Sequence, residues 1–198
     1  METLRIYICG AHSTGKTTLL NDLKQHLNIY FVEEIARSII REHSWRREDF
    51  LPDVHPDTFK QLNKEILQAQ VNIESENSVR GKGKGLDPIV YVEYYIGKES
   101  EEEMYQVNGV KEWLKRMKTA MVFVLYPHIE CISDDEVRLP PTIEDLNQFT
   151  QRLENLLNKH EIMYHKIIDL DRNKRVDCIL QIIKQYRPEL VMKNADTL

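Results

Sequence analysis

A stretch near the start of the chain has the residue types and the spacing of a phosphate-binding loop. It follows the pattern G-x-x-x-x-G-K-T through Gly10, Ala11, His12, Ser13, Thr14, Gly15, Lys16 and Thr17, and Thr18 comes next. The two glycines permit a backbone curl that points successive N–H groups at one phosphate. The lysine can reach the outer phosphates, and the threonine hydroxyl can bind Mg²⁺. The pattern predicts that residues 10–18 bind a nucleotide, with Lys16 also catalytic and Thr17 as the metal ligand.

The segments that flank this loop have the composition needed to position it. Residues 4–9 form an apolar, strand-like run, and residues 16–27 have the pattern of a helix. In this order, the unpaired N–H groups and the positive dipole end of the helix lie beside the bound anion. This context distinguishes the motif from a chance glycine-rich turn.

The remaining chain alternates between strand-like and helix-like segments. We predict strands at residues 29–32, 120–126 and 164–170, and helices at residues 34–42, from 57 onward, at 111–118, 143–160 and 172–186. The run at 120–126 is continuously apolar, as is typical of a central strand in a parallel sheet. The alternation predicts an α/β fold of the P-loop NTPase class, with a doubly wound, mainly parallel sheet flanked by helices. Ligands of such folds bind at the carboxyl ends of the strands.

Length and composition limit the classes of protein that fit. With 198 residues and 41% hydrophobic content, the chain can form one domain, which we place at residues 1–190 with a tail at 191–198. A net charge of −5 argues against a general nucleic-acid-binding surface. We find no apolar run of the roughly 20 residues that span a bilayer and no signal-peptide pattern. Because the three cysteines also lack a pairing pattern, we expect a cytoplasmic protein without a membrane span.

Several segments together resemble one family, the NadR-like P-loop kinases. They are the P-loop; residues 32–37, which read V-E-E-I-A-R; Gln70 and Glu74 on the predicted long helix; residues 122–125; and residues 134–138, which read D-D-E-V-R. The resemblance covers most of the chain. The best-known members phosphorylate ribosylnicotinamide, and animal relatives have regulatory nucleotide-binding roles. The resemblance therefore implies an AAA-type domain that binds ATP, or alternatively GTP, together with Mg²⁺.

Two residues after the second predicted strand are candidates for the acceptor site. Glu34 and Arg37 lie one helical turn apart, so both side chains can face the cleft beside the phosphates. The same spacing also occurs in an exposed ion pair at the start of an ordinary helix. The resemblance favours the first interpretation, in which both residues orient an acceptor molecule.

Arg138 is our candidate for an arginine that stabilises charge on the transferring phosphoryl group. It follows the central predicted strand in a polar segment, where phosphoryl-transfer enzymes of this shape carry a mobile lid. A solvated loop charge is the alternative. Glu136 stands where the family has a glycine, so the conformation of the loop can differ from that of the family. Arg152, on the next predicted helix, is a weaker second candidate.

The segment from residue 75 to residue 88 lacks the strand that the family places there, together with its aspartate-arginine pair. It is polar and glycine-rich, and therefore unfit for a central parallel strand. Asp87 lies just downstream, and it either faces the acceptor or is a turn residue before Pro88. In another interpretation, residues 88–92 are themselves the strand, with Glu93 as the acidic residue near its end.

Two functions fit these observations. The first is a kinase that transfers the γ-phosphoryl group of MgATP to a hydroxyl group of a nucleoside or similar small molecule, with Lys16, Arg138, Asp87, Glu34 and Arg37 in the catalytic site. The second is a regulatory nucleotide-binding switch, or a slow NTPase, that acts on a partner protein. A carboxylate close to the P-loop would favour the kinase.

Overall fold

A parallel three-stranded sheet lies at the centre of the computed structural model, which describes residues 5–27, 35–76, 85–132 and 142–192. The strands are β1 (Ile6–Cys9), β2 (Met121–Leu125) and β3 (His165–Ile167), in the spatial order β1-β2-β3. In register, Tyr7 lies opposite Val122, and Phe123 lies opposite His165. Every residue of β2 is buried, as expected for a strand with a neighbour on each side.

Eight α-helices occur in the described residues. They are α1 (Lys16–Leu23), α2 (Ile35–Glu42), α3 (Pro56–Glu76), α4 (Asp87–Tyr95), α5 (Lys98–Met104), α6 (Val110–Met117), α7 (Ile143–Lys159) and α8 (Arg172–Tyr186). Short 3₁₀ helices occur at Arg47–Phe50, Ile129–Cys131 and Pro188–Leu190. Within these parts of the chain, we find no helix whose length and apolar character would let it cross a membrane.

Different helices cover the two faces of the sheet. Successive residues of a strand point to opposite faces. Tyr7 and Cys9, with alternate residues of β2, pack in one hydrophobic cluster with α3, α4, α6 and α7. Ile6, Ile8 and Phe123 pack in a second cluster with α1 and α8. Helices on both faces of a parallel sheet confirm the predicted doubly wound α/β fold.

Most predicted elements that fall in the described residues are present. The strand predicted at 120–126 and the helices predicted at 111–118, 143–160 and 172–186 agree with β2, α6, α7 and α8 to within one residue at each end. The first helix is shorter than predicted and ends at Leu23, and β3 is shorter as well. The strand predicted at 29–32 lies outside the described residues.

The interpretation of residues 88–92 as a strand is wrong, because these residues lie in α4. Proline is tolerated in the first turn of a helix, where its missing N–H would have no partner. The β-branched content favoured a strand, but Ile89, Val90 and Val92 are buried in the cluster that covers one face of the sheet. Tertiary packing therefore overrides intrinsic propensity in this segment.

Candidate active site

The P-loop joins β1 to α1 in a tight curl that requires glycine at both ends. Gly10 and Gly15 have φ angles of 142° and 85°. A Cβ atom on Gly10 would lie 2.7 Å from the carbonyl oxygen of Leu125, so a side chain there would collide with β2. Ser13 also has a positive φ angle, of 57°. The backbone thus has the sharply bent shape that a phosphate cradle needs.

The side chains of Thr14 and Lys16 hold the loop in its bent shape through hydrogen bonds to its own backbone. The Thr14 hydroxyl donates a hydrogen bond to the carbonyl oxygen of Ala11 at 2.8 Å. Lys16 is 9% exposed, and its ammonium group donates to the carbonyl oxygens of Gly10 and Ala11. The lysine charge is therefore held over the loop, where it can neutralise the outer phosphates of a nucleotide.

The first turn of α1 supplies further groups for an anion and a metal. Thr17 and Thr18 are exposed there, and the N–H groups of a first turn have no partner within the helix. The exposed Thr17 hydroxyl fits its predicted role as a ligand of Mg²⁺. Among the residues with described positions, no group of three or more His, Cys, Asp and Glu side chains could hold a metal ion.

Asp87 begins α4 and lies beside the P-loop. Its side chain is 1% exposed. One carboxylate oxygen lies 3.4 Å from the backbone nitrogen of Gly10, and the other lies 3.7 Å from Lys16 Nζ. Burial raises the pKa of the Cys9 thiol, and the Asp87 carboxylate raises it further. The structure thus brings together two of the predicted catalytic residues, Lys16 and Asp87.

The backbone before α4 explains how Asp87 reaches this position. A Cβ atom on Gly85 would lie 2.7 Å from Cys9 Sγ. Because glycine lacks that atom, the chain can pass directly against the end of β1. The helix then begins with its first acidic side chain at the P-loop.

Tyr91 is a contact of the P-loop that the sequence analysis missed. Its hydroxyl oxygen accepts a hydrogen bond from the backbone N–H of His12 at 3.0 Å, and His12 Nδ1 lies 3.1 Å from the same oxygen. Tyr91 follows Asp87 by four residues, which places both on one face of α4. That spacing could have identified Tyr91 if residues 88–92 had been assigned to a helix.

Aromatic side chains form a wall next to this site. Tyr91 and Tyr95 are nearly parallel, with an interplanar angle of 9° and 6.3 Å between ring centroids. Phe149 of α7 lies 4.5 Å from Tyr91, and Phe59 of α3 meets Tyr95 edge-on at 5.5 Å. Burial raises the pKa of Tyr95 to about 12, so this ring is neutral at physiological pH. The wall is therefore uncharged and largely apolar.

Glu93 and Arg152 form an ion pair that joins α4 to α7. The guanidinium group of Arg152 also lies over the ring of Tyr94, 5.1 Å from its centroid. The Tyr94 hydroxyl donates to Asp145 at 3.1 Å. These contacts place the Glu93 carboxylate at a helix–helix interface, whereas Asp87 contacts the P-loop.

The other predicted acceptor and lid residues are not brought to the P-loop by any described contact. Glu34 and Arg138 lie outside the described residues. Arg37 is partly exposed on α2, a helix that packs against α3 through a small cluster containing Ile39 and Ile66. The roles of all three residues remain predictions.

A second buried carboxylate, Glu74 of α3, has different surroundings. It is 4% exposed. The Tyr7 hydroxyl donates to it at 2.7 Å, and the Trp113 indole N–H donates at 2.9 Å. Glu74 therefore links α3 to β1 and α6 within the core.

Arg175 of α8 is a second P-loop contact that the sequence analysis missed. Its Nη1 donates to the carbonyl oxygen of Thr14 at 2.8 Å. Arg175 is four residues before Ile179, and so in phase with the buried stripe of α8. An arginine on the apolar side of a predicted helix was the signal that could have identified it.

Solved structures with the same fold include two kinases and NadR. Deoxyadenosine kinase from M. mycoides with bound dCTP superposes with a TM-score of 0.67 at 14% identity, over 92% of this chain and 100% of that chain. Shikimate kinase from Acinetobacter baumannii in complex with shikimate gives 0.57 at 16% identity, over 94% and 97%. NadR protein in complex with NR gives 0.70 at 16% identity, over 98% of this chain and 54% of that chain. At these identities the comparison establishes the fold.

The sequence itself provides the family. A search of curated proteins found no significant match. A family model described as an AAA domain matches residues 5–175, which include the P-loop, α4 and the first turn of α8. The chain therefore belongs to this AAA domain family, and it has the P-loop kinase-like fold that NadR also has.

Proposed function

We propose that the chain is a kinase that transfers the γ-phosphoryl group of ATP to a hydroxyl group of a small, nucleoside-type molecule. The observation that carries this proposal is the buried carboxylate of Asp87, 3.7 Å from Lys16 Nζ. A kinase needs a base within reach of the acceptor hydroxyl beside the γ-phosphate. A protein that only senses phosphate does not need a base for an acceptor hydroxyl.

The proposed reaction assigns a role to each group at the P-loop. The acceptor oxygen forms a bond to the γ-phosphorus, the bond from phosphorus to the ADP oxygen breaks, and Asp87 takes the hydroxyl proton. Lys16 and the loop N–H groups hold the phosphates. Thr17 would hold Mg²⁺, which when bound neutralises charge on the phosphate oxygens. Arg138 is the proposed lid arginine, and Glu34 and Arg37 are proposed to orient the acceptor.

The aromatic wall supports an acceptor that contains a planar ring. Tyr91 contacts the P-loop and is partly exposed, as is Tyr95, which lies nearly parallel to it, and the buried Phe149 packs against Tyr91. The names of two fold neighbours agree with this class of acceptor, since one is a deoxyadenosine kinase and NadR was crystallised with NR. A cytoplasmic location is part of the proposal, and it is supported by the three unpaired cysteines, Cys9, Cys131 and Cys178.

A regulatory switch is the second candidate function. It is supported by the hydrogen bond between the His12 N–H group and the Tyr91 hydroxyl. This bond connects α4 to a loop N–H group of the kind that holds a nucleotide phosphate. Nucleotide binding could therefore move α4 and present a different surface to a partner protein.

A product assay by mass spectrometry separates the two functions. The purified chain is incubated with Mg²⁺ and ATP or GTP, with and without a nucleoside panel that includes ribosylnicotinamide. A nucleoside monophosphate that disappears in the Lys16→Ala variant is the expected result. If nucleotide binds but no acceptor is phosphorylated, the kinase proposal fails and the switch is favoured.

A further inference from the structure

Arg175 is a buried cation directly behind the P-loop. It lies in the first turn of α8 and is 5% exposed. Its Nε donates to the carbonyl oxygen of Asp169, and its Nη1 donates to that of Thr14. Its Nη2 is buried and has no hydrogen-bond partner. In the described parts of the chain, no carboxylate forms an ion pair with this guanidinium group.

Such a cation is costly unless something compensates for its charge. Burying an ionised side chain against neutral carbonyl groups loses most of its hydration energy. Arg172, one turn earlier on α8, shows the usual solution, because it is largely exposed and pairs with Asp22. The contrast indicates that Arg175 is placed for a purpose other than holding α8 in position.

The position of its hydrogen bond indicates that purpose. The carbonyl group of Thr14 and the N–H group of Gly15 belong to one planar trans peptide unit, so they point in opposite directions. A cation bonded to the carbonyl side fixes the plane of this unit and polarises it. The N–H group on the other side then becomes a stronger donor.

Gly15 is also the residue that permits the close approach. A Cβ atom at this position would lie 3.2 Å from Arg175 Nη1, and the φ angle of Gly15 is positive. Gly15 thus permits both the bend of the loop and the close contact with Arg175.

We propose that Arg175 is a positioning residue that turns the Gly15 N–H group toward a bound phosphate and supplies the phosphate with the charge of its guanidinium group. The inference rests on the proposed nucleotide binding. The P-loop would then have two cations: Lys16, which bonds to the carbonyl groups of Gly10 and Ala11, and Arg175, which bonds to the carbonyl group of Thr14. The anion that compensates for Arg175 is then the phosphate group of the nucleotide.

The test compares Arg175→Met and Arg175→Lys with Arg172→Met, a matched change on the same helix outside the binding site. Dissociation constants are measured for ATP and for tripolyphosphate, a probe that carries only phosphate groups. We expect Arg175→Met to weaken both ligands by about 10- to 100-fold, the loss of one hydrogen bond to a charged group. Arg175→Lys should recover part of the affinity, and Arg172→Met should bind as the wild type does.

Thermal unfolding without nucleotide separates positioning from a merely structural role. We expect the midpoint of Arg175→Met to stay unchanged or to rise, because the variant no longer buries an unpaired cation. A clear fall in the midpoint with unchanged affinity would overturn the proposal, as would a loss of affinity for ATP without one for tripolyphosphate. Should Arg175→Met not fold, Arg175→Lys carries the test, and wild-type affinity for both ligands in that variant overturns the proposal.

The proposed function and this inference fail in different ways. If the wild-type chain binds neither ligand, both are wrong. If the wild type binds and Arg175→Met binds equally well, only the role of Arg175 is wrong.

Discussion

Two buried carboxylates, Glu74 and Asp87, lie on the same side of the sheet but in different surroundings. Glu74 is 4% exposed and accepts hydrogen bonds from Tyr7 and Trp113, whose side chains belong to the core. Asp87 is 1% exposed and lies beside Lys16 and the Gly10 N–H group. The first set of donors holds secondary-structure elements together. The second set consists of groups that phosphate binding uses.

The difference shows that burial of a carboxylate does not by itself identify an active site. Structural networks also bury ionisable groups and shift pKa values. Burial and the Glu74 carboxylate raise the pKa of Tyr7 well above its usual value, although this pair lies within the core. The identity of the partners separates the two cases: core aromatic donors and Arg5 for Glu74, and the phosphate-binding loop for Asp87.

The largest effect is expected at Asp87. The Asp87→Asn variant keeps the size of the side chain but removes the base, so kcat should fall by about 10²- to 10⁴-fold. Its free energy of unfolding should also fall, by about 3 kcal/mol, because the buried Lys16 ammonium group loses its carboxylate partner, so kcat is compared at a temperature where the variant is folded. Steady-state kinetics with the acceptor found in the product assay and urea denaturation measure the two quantities.

Glu93→Gln is the matched control for this variant. Glu93 lies on the same helix but pairs with Arg152, so kcat should stay within a few-fold of the wild type. Equal losses of kcat in both variants would contradict the distinction between the two positions on α4.

At Glu74 we expect a loss of stability without a loss of nucleotide binding. Glu74→Ala leaves the Tyr7 hydroxyl and the Trp113 N–H group without their acceptor, which should lower the free energy of unfolding by about 3 kcal/mol. At a temperature where the variant is folded, its affinity for ATP should equal that of the wild type. Urea denaturation and a binding titration test this, and loss of nucleotide affinity in the folded variant would show that Glu74 contributes to the nucleotide site.

The smallest effect is expected at Asp22, a carboxylate near the surface. The hydrogen bond from Arg172 lowers the pKa of Asp22. Ionised Asp22 therefore stabilises the folded chain at pH values above about 3.9, which is the pKa of this group in the unfolded chain. This stabilisation is lost as the pH falls through the lower pKa that Asp22 has in the folded chain. Asp22→Asn should lower the thermal midpoint at pH 7 by about 1–2 °C.

A pH series of thermal unfolding provides the check at Asp22. The difference in midpoint between the wild type and Asp22→Asn should shrink as the pH falls below about 5, because Asp22 becomes protonated first in the unfolded chain and then in the folded chain. A difference that does not shrink with falling pH would show that packing, rather than charge, distinguishes the two proteins.

The parts of the fold that the sequence predicted are those with a local signal. The apolar run of β2 and the 3.6-residue periodicity of α7 and α8 are visible within a single segment. For residues 88–92 the β-branched content predicts a strand in one interpretation, although a short apolar run is compatible with either a strand or a helix. The contacts of α4 with its neighbours decided the outcome in favour of a helix.

The P-loop can be identified from the sequence alone, because its glycines, lysine and threonine act within one continuous turn of backbone whose shape depends on local φ angles. The contacts of Asp87, Tyr91 and Arg175 with this loop depend instead on the tertiary structure. The first two are brought to it by packing of α4 against β1, and the third by packing of α8 on the other face of the sheet. Contacts between residues far apart in the chain depend on how the elements pack together, and no single segment of the sequence carries that information.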